Sequence, residues 1–187
     1  ETKNKLFKPI LGCEAYVAKR GRKSKEGKPD KSGYHLVLLA KNKKGYQNLC
    51  TLVSLGWLEG FYYRPRIDHE ILKKYSEGII ASSACLGGEI HKKVENGDLA
   101  GAEESILWYK EVFGDDFYLE LQRHKTNKPN ANYECYDKQM TQNEVLIQLA
   151  RKTNTKLLVT NDVHFVKEEH AEGHERLICL KIGRAHV

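Results

Sequence analysis

Asp162-Val163-His164 follows the apolar run Leu157-Leu158-Val159. An aspartate and a histidine two apart on a strand share a face, so one cation can take an oxygen from the first and an imidazole nitrogen from the second. Two donors do not make a site, and three other strand-like runs supply candidates. Pro9 to Val17 carries Glu14 inside an otherwise apolar stretch, where an unpaired carboxylate would cost on the order of several kcal/mol and therefore needs a cation or a hydrogen-bond donor. Tyr34 to Ala40 places His35 at the edge of a strongly β-prone run, and Gly78 to Cys85 ends in a thiol ahead of Leu86-Gly87-Gly88. Glu14, His35, Cys85, Asp162 and His164 thus read as one constellation of mixed oxygen, nitrogen and sulfur donors. Such a set suits zinc, or manganese or iron if the oxygens dominate. Singly, Glu14, His35 and Cys85 read more readily as ordinary core residues than as ligands, whereas Asp162 with His164 stands higher because of the shared face. His69, His91, His124, His170 and His174 read as solvated or capping residues. His170 and His174 form an i, i+4 pair on a helix with no evident third ligand.

The elements that must position these residues alternate. A strand ends near Val17, and the polar run Lys19 to Lys31 reads as an exposed mobile loop able to approach a polyanion. After the His35 strand, Asn42 caps a helix with Tyr46, Leu49, Leu52 and Val53 as its apolar stripe. The aromatic loop Gly60 to Arg66 follows, and Asp68 caps a short helix through Tyr75. The strand Gly78 to Ala84 and a helix from Glu89 to Asn96-Gly97 come next. Asp98 opens a helix with Leu99, Ala102, Ile106, Tyr109 and Phe113 on one face, stopped at Gly114 before the strand Phe117 to Leu121. Lys125 to Asp137 has the composition of a long surface loop, and Thr141-Gln142-Asn143-Glu144 is a capping box for a helix to about Lys152. This order predicts an α/β fold with a mainly parallel sheet, and polar residues at strand ends favour a barrel with its site on the carboxyl rim. His35 fits that picture poorly because it begins its strand, so that strand is expected to differ in boundary, direction or bend.

The 187 residues, 40% hydrophobic and 30% charged, suit one soluble domain, and nothing in them favours a disordered or fibrous chain. Five widely spaced cysteines without a C-x-x-C pair argue for a reducing cytoplasm and against a disulfide framework. No apolar run approaches a membrane span, and no signal peptide is visible. The string Ile182 to Val187 matches the translation of a common sequencing-adapter run. The expected organisation is therefore one domain over residues 1–181 with a non-native tail at 182–187.

Six segments in order carry a resemblance. They are Gly12-Cys13-Glu14-Ala15-Tyr16, Tyr34 to Ala40, Gly60-Phe61-Tyr62-Tyr63-Arg64-Pro65-Arg66-Ile67-Asp68, Cys85-Leu86-Gly87-Gly88-Glu89-Ile90, Phe117 to Gln122 and Thr160-Asn161-Asp162-Val163-His164. Together they resemble the polymerase and histidinol phosphatase (PHP) domain found at the amino end of bacterial replicative DNA polymerase III alpha subunits. The resemblance implies a distorted seven-stranded β/α barrel of the PHP type, incomplete at its amino end here, with up to three metal ions at the rim. It places Glu14, His35, Cys85, Asp162 and His164 on positions that look like that family's metal ligands, with Asp162 as a bridging ligand, Asp162 and His164 closest to the chemistry, and Cys85 bound as thiolate. The family's opening His-x-His and Asp-His-Gly motifs would lie upstream of Glu1, and its polymerase centre with magnesium would lie downstream. The implied activity is a metal-dependent 3′-to-5′ exonuclease, in which a hydroxide generated at the metal attacks the terminal phosphodiester. Implied partners are primer-template DNA, the sliding clamp and other replicase subunits, in the cytoplasm and away from any membrane. Two alternatives stay open: a catalytically silent scaffold docking a separate proofreading exonuclease, and a free-standing phosphoesterase.

Overall fold

The computed structural model describes residues 8–125 and 133–182, the last two by backbone alone. The strands are β1 (Gly12–Val17), β2 (Tyr34–Ala40), β3 (Arg66–Ile67), β4 (Ile79–Ser82), β5 (Phe117–Gln122) and β6 (Lys156–Thr160). They form a six-stranded sheet in the order β3-β1-β2-β4-β5-β6. β2 runs antiparallel to both neighbours, whereas the β1–β3, β4–β5 and β5–β6 pairs are parallel. The expectation of a mainly parallel sheet therefore fails at β2. That reversal accounts for His35: the start of β2 lies where β1 and β4 finish, with Tyr16 opposite His35 and Ser82 opposite Val37. The seventh strand expected for a barrel is absent among the described residues.

The described residues contain six α-helices: α1 (Lys43–Leu58), α2 (His69–Lys74), α3 (Glu89–Glu95), α4 (Leu99–Phe113), α5 (Glu134–Thr153) and α6 (His170–Ile182). Three caps act as anticipated. Asn42 accepts from Gly45 N–H, Asp68 from Ile71 N–H and Asp98 from Gly101 N–H, each satisfying a donor the first turn leaves free. The predicted capping box at Thr141 is not a helix start. α5 begins at Glu134, and Thr141 sits in its interior, its hydroxyl donating to the Asp137 carbonyl one turn back. The predicted stripe of α1 is shifted as well, since Tyr46 and Val53 are exposed while Gly45, Asn48, Leu49, Leu52 and Gly56 face the core. α6 continues through Ile182, the first residue of the expected tail, and residues 183–187 lie outside the described residues. Part of the expected loop, residues 126–132, does too.

The strand alternation divides the sheet into two faces. Val17, Leu36, Leu38, Ile79, Ala81, Phe117 and Leu119 join Leu52, Ile106, Tyr109 and Leu146 from the helices in one hydrophobic core, with Cys13 and Ala15 packed against it. Residues of opposite parity on the paired strands, Glu14, Tyr16, His35, Ser82, Glu120, Gln122 and Thr160, therefore fall on the other face.

The basic run Lys19 to Lys31 differs most from expectation. Arg22 is buried with its guanidinium on Asp68 at 3.0 Å, Glu70 at 3.0 Å and Glu59 at 2.8 Å. Asp30, also buried, accepts from Arg20, Ser24 and the Glu26 N–H. Arg66, fully buried in β3, donates to the Gly60, Arg22 and Ser24 carbonyls. Arg20 thus closes an ion pair within the run, Arg22 ties the run to Glu59, Asp68 and Glu70, and Arg66 of β3 holds it through two backbone carbonyls.

Candidate metal centre

Three expected ligands meet at the reversed end of β2. His35 Nδ1 lies 3.1 Å from a Glu14 carboxylate oxygen and 3.4 Å from Cys85 Sγ. The register brings them together: Glu14 pairs with Val37 two residues along from His35 on the same face, and Cys85 lies three residues past the end of β4. The turn carrying the thiol is built around Ala84 at φ 58° and closed by Gly88 N–H on the Cys85 carbonyl at 2.8 Å. His35 N–H donates to the Gly87 carbonyl at 3.0 Å. A Cβ at Gly87 would come within 3.0 Å of His35 Nδ1, so only glycine lets the loop lie against the imidazole without displacing it. Tyr16 packs edge-on against the same ring at 5.2 Å.

Each of the two pairs, His35 with Glu14 and His35 with Cys85, has by itself a spacing near that of neighbouring metal ligands. With metal–ligand bonds of roughly 2.0–2.3 Å, tetrahedral neighbours stand about 3.3–3.7 Å apart, close to the separations around His35. Burial pushes the Cys85 thiol above its usual value; the Gly87 N–H opposes this, while the charges of Asp162 and Glu14 add to it. A positive charge at this point is what would favour the thiolate.

Asp162 and His164 form a second limb in the segment after β6, which ends at Thr160, so the strand face they were expected to share is not formed. Asp162 is half-buried at φ 47°, a conformation uncommon outside glycine, and its charge acts on Cys85. His164 Nδ1 is 2.7 Å from the Asp162 carbonyl, which can only accept, so that nitrogen carries a proton and, in the neutral imidazole, Nε2 keeps its lone pair. Asp162 and His164 line a cavity of about 610 Å³ with Arg123, His124, Lys125, Phe165 and His174. His174, read from sequence as half of an isolated helical pair, has its ring 5.5 Å from that of His164. Among the described residues no three His, Cys, Asp or Glu side chains close around a single point, so the structure leaves the two limbs separate.

Sequence reading missed the polar residues between the limbs. Glu120 is buried and accepts from the hydroxyls of Ser82 and of Thr160, the latter at 2.6 Å, and from the Gln122 amide at 3.3 Å. The alternation of Tyr118, Glu120 and Gln122 against Phe117, Leu119 and Leu121 carried that signal. His124 and His69 are likewise not merely solvated or capping. His124 bonds the Asn161 carbonyl and Gln139. His69 stacks on Trp108 and bonds Glu89, whose carboxylate also accepts from Ser105 and Tyr109. Burial alone would raise the Glu89 carboxyl, but the His69 hydrogen bond and charge, with Ser105 and Lys93, outweigh it and hold it at about 2.

The PHP domain family matches residues 1–124 of the chain. The chain is 45% identical over 184 residues to a DNA polymerase III subunit alpha of Borreliella burgdorferi, covering 98% of the chain and 15% of that protein. The corresponding protein of Deinococcus radiodurans is 40% identical over 178 residues, covering 93% of the chain and 13% of the relative. That of Aquifex aeolicus is 40% identical over 184 residues, covering 95% and 15%. The chain therefore spans about 15% of the length of these relatives.

Proposed function

The chain belongs to the PHP domain family, and from that premise we propose that it is the PHP part of a bacterial replicative DNA polymerase III alpha subunit, serving there as a metal-dependent 3′-to-5′ exonuclease. The observation that carries this reading is the convergence of Glu14 and Cys85 on His35 Nδ1 at 3.1 and 3.4 Å, with Asp162 close enough to act on the same thiol. In the intact protein the sheet closes into a seven-stranded barrel that brings the Asp162–His164 limb and upstream residues to this point. Glu14, His35, Cys85, Asp162 and His164 are the residues that would hold divalent cations there, zinc, manganese or iron. When bound, they lower the pKa of a water and neutralise charge developing on the phosphoryl oxygens. The chain's own residues supply the remainder. His164 presents Nε2 because its Nδ1 is committed to a backbone carbonyl. Arg123 and Lys125 line the same cavity and hold the phosphate of the terminal nucleotide, while Phe165 offers it an apolar wall. The substrate is a mispaired primer end on template DNA, and the sliding clamp and the magnesium-dependent polymerase centre belong to the rest of the protein.

Separation of the two limbs favours a second reading, a scaffold that docks a separate proofreading exonuclease. The full-length protein and its Asp162→Asn variant, assayed on mismatched primer ends, decide between them. The nuclease reading requires loss of at least about a hundredfold in rate. Equal rates in the two proteins put the scaffold in its place.

A further inference from the structure

We propose that His124 is a positioning residue that sets the Asp162 turn through the Asn161 carbonyl, a role that rests on the metal-site reading above. The β5–β6 ladder ends at the pair Gln122 and Thr160, so backbone pairing no longer guides the chain where the ligands begin. His124 supplies the next tie with its side chain. Its orientation is set by Gln139 of α5, which is buried: the amide oxygen accepts from His124 N–H at 2.8 Å, and the amide nitrogen faces His124 Nδ1 at 2.9 Å. Nδ1 is therefore the acceptor and Nε2 carries the proton. Nε2–H donates to the Asn161 carbonyl at 2.7 Å. Asn143, one turn further along α5, clasps the Gln122 carbonyl at 2.9 Å and holds the end of β5 to the same helix.

The following carbonyl, that of Asp162, receives the His164 Nδ1–H at 2.7 Å. Two successive carbonyls are each held by an imidazole N–H, and the residue between them stands at φ 47°. A left-handed backbone at a residue other than glycine persists where its surroundings over-determine it. Without the His124 tie, the 161–162 peptide is free to turn and Asp162 to relax, carrying its carboxylate away from Cys85. His124 touches no ligand and acts only on the geometry of the turn, as outer hydrogen bonds do at metal sites.

The test uses the full-length protein with His124→Gln, which keeps an N–H donor near the place of Nε2, and His124→Leu, which has none. Gln139→Leu unlocks the tautomer, and Asp162→Asn is the ligand-loss reference. One readout is the component of manganese binding that Asp162→Asn removes. The other is amide hydrogen exchange in the segment around residues 157–166. His124→Leu should weaken that metal component about 10–100-fold and speed exchange about tenfold, with His124→Gln close to wild type and Gln139→Leu between. Unchanged affinity and exchange in His124→Leu overturn the proposal. So does equal loss in the Gln and Leu variants alongside equal loss of melting temperature, since that pattern reports packing alone. If Asp162→Asn removes no metal, the site reading has failed and the ligand-positioning role fails with it, and the exchange data then report only whether the tie holds the turn.

Discussion

Cys85 Sγ stands 3.4 Å from His35 Nδ1, although the two residues are 50 positions apart in the chain. A thiolate beside an imidazole biases a site toward zinc, whereas a carboxylate or hydroxyl in its place favours harder ions. Cys85→Asp should therefore shift the metal recovered with the full-length protein from zinc toward manganese. Elemental analysis after growth in mixed metals checks it, and an unchanged zinc fraction would place Cys85 outside the coordinating set.

Glu89 gives a pH signature. Its carboxyl lies at about 2 in the folded chain and near about 4.3 when unfolded. A depressed folded value means the stabilisation is fully present above the unfolded value and is lost as pH falls toward 2. Its size is roughly 3 kcal/mol. Glu89→Gln should lower stability by that order at neutral pH and flatten the acid limb. Urea unfolding at several pH values measures both, and parallel limbs in the two proteins would contradict it.

Arg22 and Asp68 form a buried pair at 3.0 Å. Removing one partner leaves an uncompensated buried charge, so Arg22→Met should cost about 3–5 kcal/mol. Asp68→Asn added to it restores part of the loss, because asparagine still caps α2. A double-mutant cycle by urea unfolding reads the coupling. Additive losses would show that the pair is not coupled.

Glu120 accepts from Ser82, Thr160 and Gln122 in a buried setting. Glu120→Leu strands those donors, each at about 1–3 kcal/mol. The expected outcome is marked destabilisation, smaller in Glu120→Gln, which keeps one acceptor. Thermal unfolding of both variants gives the comparison.

Much of this arrangement was legible in order but not in direction. The alternating patterns, the Asn42, Asp68 and Asp98 caps and the Gly97 stop all sit where local chemistry places them, because each depends on neighbours within a few residues. The start of α5 was misplaced because Thr141 and Glu144 make a plausible cap in isolation, while packing of Gln139 and Gln142 into the interior extends the helix past it. The lysines of the basic run are exposed as expected, but Arg22 was misread as solvated. Its partners Glu59, Asp68 and Glu70 lie 37 to 48 positions away.

The sequence by itself determined which donor atoms the chain offers, and that Asp162 and His164 follow one strand while Glu14 lies within another. These follow from residue type and from the apolar runs that mark the strands. Only the tertiary structure decided that β2 runs backwards, placing His35 between Glu14 and Cys85, and that His124 and Gln139 hold the Asp162 turn. Strand direction and contacts across the sheet depend on long-range pairing and on burial of the whole apolar face. No local window of residues contains that information.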